Sequence, residues 1–187
     1  MKYKYLFIWL LMFSIAILIP FNCYSEDSEN IIKTLKTKNF HKVDENYYRG
    51  ANPPLEDYEK LGKLGIKSII DLRHMNNKKF TKLKTIANQY GIKYYSIQMS
   101  PFTPPTKEQI KEFFDIVNNP DGQPVYVHCT YGKDRTGIMS ALYRVNNYQW
   151  EYDQAYQEMI SDGYHVHLYG NQKKFLYEYT HNKPFEE

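Results

Sequence analysis

Three observations predict an α/β fold with a central, mostly parallel sheet flanked by helices. β-branched and aromatic runs alternate with segments of helical periodicity, glycine and proline mark most junctions, and the repeated strand-helix-strand order implies right-handed crossovers. The first strand is read at Tyr47-Tyr48-Arg49, ended by Gly50 and the turn-forming Asn52-Pro53-Pro54. Leu55 to Leu64 suits a helix closed by Gly65, and Ile66 to Leu72 is a β-branched run that suits a strand. Phe80 to Tyr90 is helical up to Gly91, and Ile92 to Met99 is again a strand. A proline-rich loop follows, then a helix from Thr106, its predicted N-cap, to Asn118, and the strand Pro124 to His128. After that strand, Thr136 to Asn146, Tyr152 to Ser161 and Gln172 to Thr180 are three candidate helices.

The 187 residues suit one compact domain, and the hydrophobic share of 42% and charged share of 24% are ordinary for a globular chain. Nineteen tyrosines and ten phenylalanines make it unusually aromatic, which argues against disorder beyond the two ends. Residues 1–25 read as an export signal: Lys2 and Lys4 make a basic start, and Tyr5 to Ile19 is an uncharged apolar run broken by Pro20. Cys23 and Ser25 supply the small residues expected before a cut in front of Glu26; an uncleaved anchor and a lipid-modified Cys23 are the alternatives. The expectation is an exported domain, periplasmic or secreted and monomeric, that meets a membrane only through a retained or lipid-modified N-terminus. Residues 26–42 read as a polar lead-in with one short helix, and 43–187 as the globular body. With Lys2 and Lys4 in the leader, 22 basic residues face 21 acidic ones, a balance that gives no argument for a nucleic-acid partner.

Cleavage before Glu26 leaves Cys129 as a single thiol in an exported domain, where it has no disulfide partner and is open to oxidation. A buried small hydrophobe is the ordinary fate of such a residue. Its neighbours argue otherwise. Val125-Tyr126-Val127-His128-Cys129-Thr130-Tyr131-Gly132-Lys133-Asp134-Arg135-Thr136-Gly137 sets a cysteine at the carboxyl end of a strand, with a helix start six or seven residues later. Ligands of open α/β sheets bind at that edge. A short loop running into a helix N-terminus offers a phosphate dianion a ring of backbone N–H groups and the positive end of the macrodipole. Residues Thr130, Tyr131, Gly132, Lys133, Asp134 and Arg135 form that loop, and Gly132 lets it curl. Arg135 can give two parallel hydrogen bonds to two phosphate oxygens, which a lysine cannot reproduce. The same donors favour the thiolate of Cys129 and lower its pKa. Thr136 can hydrogen-bond the sulfur and later stabilise it as a leaving group, while His128 can hold the loop through a side-chain to backbone bond.

His-Cys-x5-Arg-Thr-Gly resembles the signature of the protein tyrosine phosphatase superfamily, and most closely its small dual-specificity branch. Tyr48-Arg49-Gly50-Ala51-Asn52-Pro53, the strand ending Ile69-Ile70-Asp71-Leu72-Arg73, and Gly91-Ile92 leading into a strand also resemble positions of that branch. The resemblance thus covers about 43 to 180. It implies a phosphocysteine intermediate, Cys129 as nucleophile, Arg135 as phosphate clamp, and neither cofactor nor metal. The partner it implies is a phosphorylated protein, with phosphotyrosine favoured because an aryl oxide leaves readily. Lys133 motivates the alternative of an inositol phosphate or phosphoinositide, since its ammonium beside the loop suits a second phosphate, and Gly-Lys-x-Arg-Thr resembles the loop of lipid and inositol phosphatases.

Two other classes compete. A sulfurtransferase or arsenate reductase also carries a cysteine after a strand, but the former usually lacks the Arg-Thr ending and the latter has its loop near the chain start. An inactive phosphate-binding module usually loses the cysteine or the arginine, and both are present here. One departure from the resembled pattern concerns the general acid, for Ser96 to Glu108 contains no aspartate. Asp134 is therefore the candidate acid, in a loop that resembles the Asp-Arg-Thr loop of myotubularin-type phosphatases, with a brace for the loop as its alternative role, while Glu108 reads as a capping or dipole-compensating residue. Asp71 and Arg73 are read as supports of the loop. His165 and His167 lack a third metal ligand, and Lys78, Lys79, Lys82 and Lys84 read as a solvated face.

Overall fold

The structure, a computed structural model, describes residues 20–182. The apolar run of the expected export segment, through Ile19, lies outside the described residues. Helix α1, Pro20–Thr34, belongs to a separate unit that ends at Leu35, and the main body begins at Lys36. Among the described residues no helix is long and apolar enough to cross a membrane.

Within the body, the start of the chain at residues 36–37 is held by hydrogen bonds. The buried Asp57 carboxylate accepts from the Lys36 and Thr37 amides at 2.8 and 2.7 Å and from the Thr37 hydroxyl at 2.7 Å. A short strand β1, His41–Lys42, then pairs antiparallel with β2, Tyr47–Gly50. Helix α2, Tyr58–Lys63, leads to β3, Ser68–Asp71; α3, Asn77–Gln89, leads to β4, Lys93–Ser96; α4, Lys107–Val117, leads to β5, Val125–His128. Three helices close the chain: α5, Asp134–Tyr148, α6, Tyr152–Ser161, and α7, Gly170–Asn182.

The sheet order is β1-β2-β5-β3-β4, parallel except at the β1 edge. β5 lies in the middle, and all four of its residues are buried, as expected of a strand covered on both faces. Register matters more than order for the site. Gly50 and Asp71 both pair with His128, and Asp71 pairs with Ser96, so one row across the carboxyl edge ends immediately below Cys129.

Helix ends follow capping chemistry. Thr106 caps α4 as expected, in a full capping box with Gln109. Asn76 caps α3 through the Lys79 amide, so that helix starts three residues before the apolar Phe80. Beyond Ser96 the strand read as far as Met99 gives way to irregular backbone, although the Ile97 and Met99 amides still bond to the Asp71 and Leu72 carbonyls at 3.1 and 3.2 Å. Part of the aromatic composition sits inside: Tyr47, Tyr58 and Tyr126 are fully buried, and Tyr47 stacks on Tyr143 with ring centroids 4.3 Å apart. Their hydroxyls need partners there. Tyr47 meets the Ser140 hydroxyl at 3.1 Å, and Tyr126 donates to the Ala51 carbonyl at 2.6 Å.

Candidate active site

Strand β5 delivers Cys129 to the carboxyl edge of the sheet with only 3% of its surface exposed, and α5 begins five residues later at Asp134. Between them the chain curls at Gly132, whose φ of 71° is left-handed. A side chain there would collide with the backbone of Gly50 and Ala51, so glycine is required by close approach as well as by conformation. Asn52 donates its amide to the Thr130 carbonyl at 3.3 Å and fastens the outer side of the loop.

Burial alone would raise the Cys129 pKa. The Thr136 hydroxyl and amide, the Arg135 charge and the Tyr131 amide outweigh it and hold the thiol below its ordinary value. Thr136 is fully buried beside the thiol, and its hydroxyl is among the groups that lower the Cys129 pKa. Arg135 spans the mouth of the loop. Its Nη1 lies 3.4 Å from both the Leu72 and Met99 carbonyls, and its Nη2 lies 3.3 Å from the Thr130 hydroxyl. The guanidinium is thus steered by chain leaving β3, β4 and β5.

His128 is completely buried, and its Nδ1 donates to the Cys129 carbonyl at 3.2 Å. Burial pushes its pKa down against the pull of Asp71, and a backbone carbonyl is a fitting partner for the ring N–H. Asp71 supports the row from β3. Burial opposes its ionisation, but His128, Arg73 and Tyr94 together hold its carboxyl below the usual range. Arg73 Nη2 and the Tyr94 hydroxyl each donate to Asp71 at 2.6 Å. Asp71 and Arg73 form a charged pair at the end of β3, next to His128 in the sheet.

Asp134 opens α5 with a buried carboxylate bound to His165, which sits on the connection between α6 and α7. Glu108 is exposed, and its own backbone N–H and the Thr106 side chain hold its pKa below the ordinary value, a poor setting for a proton donor. Lys133 lies with its Nζ 3.3 Å from the point where a side chain at Gly163 would begin; the φ of 88° at Gly163 is left-handed. Tyr131 on the loop and Phe102 on the segment after β4 are largely exposed, at 66% and 70%. A groove of about 520 Å³ runs along the β4 edge between Phe80, Lys84, Lys93 and Glu112, and none of its lining residues belongs to the cysteine loop.

Sequence reasoning missed four residues that bear on this loop. Arg49 was read as part of a strand and of the stretch that resembles the dual-specificity branch, with no role at the loop, although it donates to the Gly132 carbonyl at 2.8 Å and pairs with Asp162 at 2.5 Å. Asn39 Nδ2 donates to the same carbonyl at 2.9 Å and to the Asp162 carbonyl at 3.1 Å. His165 was set aside for want of a third metal ligand, yet it is the partner of Asp134. The available signal for Arg49 was an arginine inside an otherwise apolar strand, which demands a buried partner.

Known proteins share both fold and sequence with this chain. Residues 25–173 match the family described as DSP-PTPase phosphatase fused to NAD+ kinase. Inositol diphosphatase SIW14 of Saccharomyces cerevisiae is 32% identical over 121 residues, covering 60% of this chain and 41% of that protein. Inositol diphosphatase DSP5 of Arabidopsis thaliana is 30% identical over 117 residues, covering 59% of this chain and 55% of that protein. The chain thus spans about half the length of these curated relatives. Among solved structures, the catalytic core of the SIW14 phosphatase superposes with a TM-score of 0.62 at 26% identity, covering 75% of this chain and 84% of that one. Pseudomonas aeruginosa TpbA superposes with a TM-score of 0.62 at 18% identity over 74% of this chain and 83% of that one, a likeness of fold. The family match runs through β5, the loop that carries Cys129, and helices α5 and α6, and the chain belongs to the DSP-PTPase phosphatase family so described.

Proposed function

We propose that the protein is a cysteine-dependent phosphatase of phosphate monoesters. The observation that carries this reading is the convergence on Cys129 of the Thr136 hydroxyl, the loop amides and the Arg135 guanidinium, which together lower the thiol pKa and leave donors for a dianion. The thiolate attacks phosphorus, an S–P bond forms, and the bond from phosphorus to the ester oxygen breaks. Asp134 donates a proton to the departing oxygen, then receives one from the water that cleaves the S–P bond and releases inorganic phosphate. Arg135 follows the equatorial oxygens throughout, and Thr136 stabilises the sulfur when it leaves.

Phosphotyrosine in a protein is the favoured substrate, supported by the exposed aromatic rings of Tyr131 and Phe102, one on the cysteine loop and one on the segment after Met99. Lys133 and the names of the curated relatives support a second reading, an inositol phosphate. Export through residues 1–25 is part of the same proposal, supported by the basic start and apolar run, and N-terminal sequencing of the mature protein from fractionated cells tests it.

Vanadate-sensitive hydrolysis of p-nitrophenyl phosphate, abolished by Cys129→Ser, tests the chemistry, and acid-quenched trapping of a phosphoenzyme tests the intermediate. A panel of phosphotyrosine peptides, phosphoserine peptides and inositol phosphates separates the substrates; equal, weak rates on all would leave neither version standing.

A further inference from the structure

The carbonyl of Gly132 is an unusual point in the loop because two side chains from the other end of the chain converge on it. Arg49 Nη2 and Asn39 Nδ2 donate to it at 2.8 and 2.9 Å. Arg49 is 1% exposed, and burying a guanidinium is costly unless it is paired and hydrogen-bonded. Its Nη1 is paired with Asp162, whose side chain is itself only 12% exposed, at 2.5 Å. Asn39 closes the figure by bonding the Asp162 carbonyl as well. Since Asp162 neutralises Arg49, the pair adds little net charge to the site. Its effect on the loop is geometric.

Peptide planarity says what that geometry does. In a trans peptide the carbonyl oxygen and the following N–H point in opposite directions. Fixing the Gly132 oxygen toward Arg49 and Asn39 turns the Lys133 N–H away from them, to the opposite face of the loop; the neighbouring Tyr131 and Thr136 amides are among the groups that lower the Cys129 pKa. Gly132, with its φ of 71°, offers little resistance of its own to a flip of this peptide, so the orientation depends on the two donors.

We propose that Arg49 and Asn39 are positioning residues for phosphate capture, which hold the Gly132 carbonyl so that the Lys133 amide points at the bound oxyanion. This rests on the phosphatase reading, and the experiment separates the two. Asn39→Gly is the informative variant: Asn39 has a φ of 52°, so glycine keeps the backbone while removing the amide donor. Arg49→Lys keeps the charge opposite Asp162 but cannot reach both partners with a fork. Each variant is expected to weaken inhibition by inorganic phosphate and by vanadate about tenfold, the usual worth of one well-aimed donor to a charged group. Because the lost element is geometric, the ionic-strength dependence of that inhibition is expected to stay as in the wild type.

A merely structural role predicts something else: lower thermal stability with unchanged inhibition constants in the folded fraction, and that result would overturn the proposal. Amide NMR of the unsubstituted protein gives a check that needs no variant to fold. The Lys133 resonance is expected to move on titration with phosphate, and a Lys133 amide that ignores a bound phosphate also overturns it. If the wild type binds phosphate in this way yet turns over no phosphomonoester, the functional reading fails while the positioning role stands.

Discussion

Asp134 and His165 meet twice: one carboxylate oxygen accepts the His165 backbone amide at 2.9 Å, and ring Nδ1 lies 3.0 Å from both oxygens. The carboxylate is thereby locked in one rotamer at the start of α5. If it serves as the general acid, Asp134→Asn will cost about a hundredfold in kcat on phosphotyrosine and far less on an activated aryl phosphate whose leaving group needs no proton. His165→Ala keeps the backbone bond and should give a smaller loss with the same leaving-group dependence. Equal losses on both substrates would make the pair a brace for the loop.

Arg135→Lys keeps one positive charge but not the planar fork. The expected result is a loss in kcat/KM of at least about a hundredfold with the fold intact, read from steady-state kinetics beside a thermal melt. Retained activity would remove the clamp role.

The Cys129 thiolate sets the acid side of the pH profile. Its pKa is depressed in the folded protein because burial is outweighed by Thr136, Arg135 and the Tyr131 amide. Thr136→Val should therefore move the acid limb of kcat/KM to higher pH and lower kcat about tenfold. Ultraviolet thiolate absorbance gives the same titration without substrate. For stability the sign follows from the direction: the contribution is fully present above the pKa of the unfolded thiol and fades as pH falls through the lower folded value.

Asp57 offers a prediction about stability alone. Asp57→Ala strands the Lys36 and Thr37 amides and the Thr37 hydroxyl, and should cost about 3 kcal/mol in denaturant unfolding. The folded fraction should keep its specific activity, because none of these groups touches the cysteine loop.

The cysteine loop was legible in the sequence because its residues are contiguous. Cys129, Arg135 and Thr136 are spaced by a strand, a turn and a helix start, and local geometry carries them most of the way to one another. Arg49, Asn39 and Asp162 were not legible as a set, since they lie 83, 93 and 30 positions from Gly132 and meet only through the placement of β2 and the end of α6. Helix starts were misjudged where apolar periodicity was followed in place of caps: Asn76 starts α3 ahead of Phe80, and α5 begins at Asp134 rather than Thr136. Strand β4 stops at Ser96 although Ile97 and Met99 are buried, because burial without a regular ladder reads like strand in sequence.

The position of β5 between β2 and β3 also says how the site should be lost. The anchor of Cys129 is hydrogen-bonded on both sides, whereas β1 and β4 each have one neighbour. Amides of a doubly paired central strand exchange with solvent mainly when the whole domain opens, while edge strands and termini open locally at lower free energy. Deuterium should therefore enter β1 and β4 first and β5 last, with the nucleophile's support surviving until the body unfolds as a unit. Heat inactivation would then track the global transition, with no earlier, partial melting of the catalytic edge.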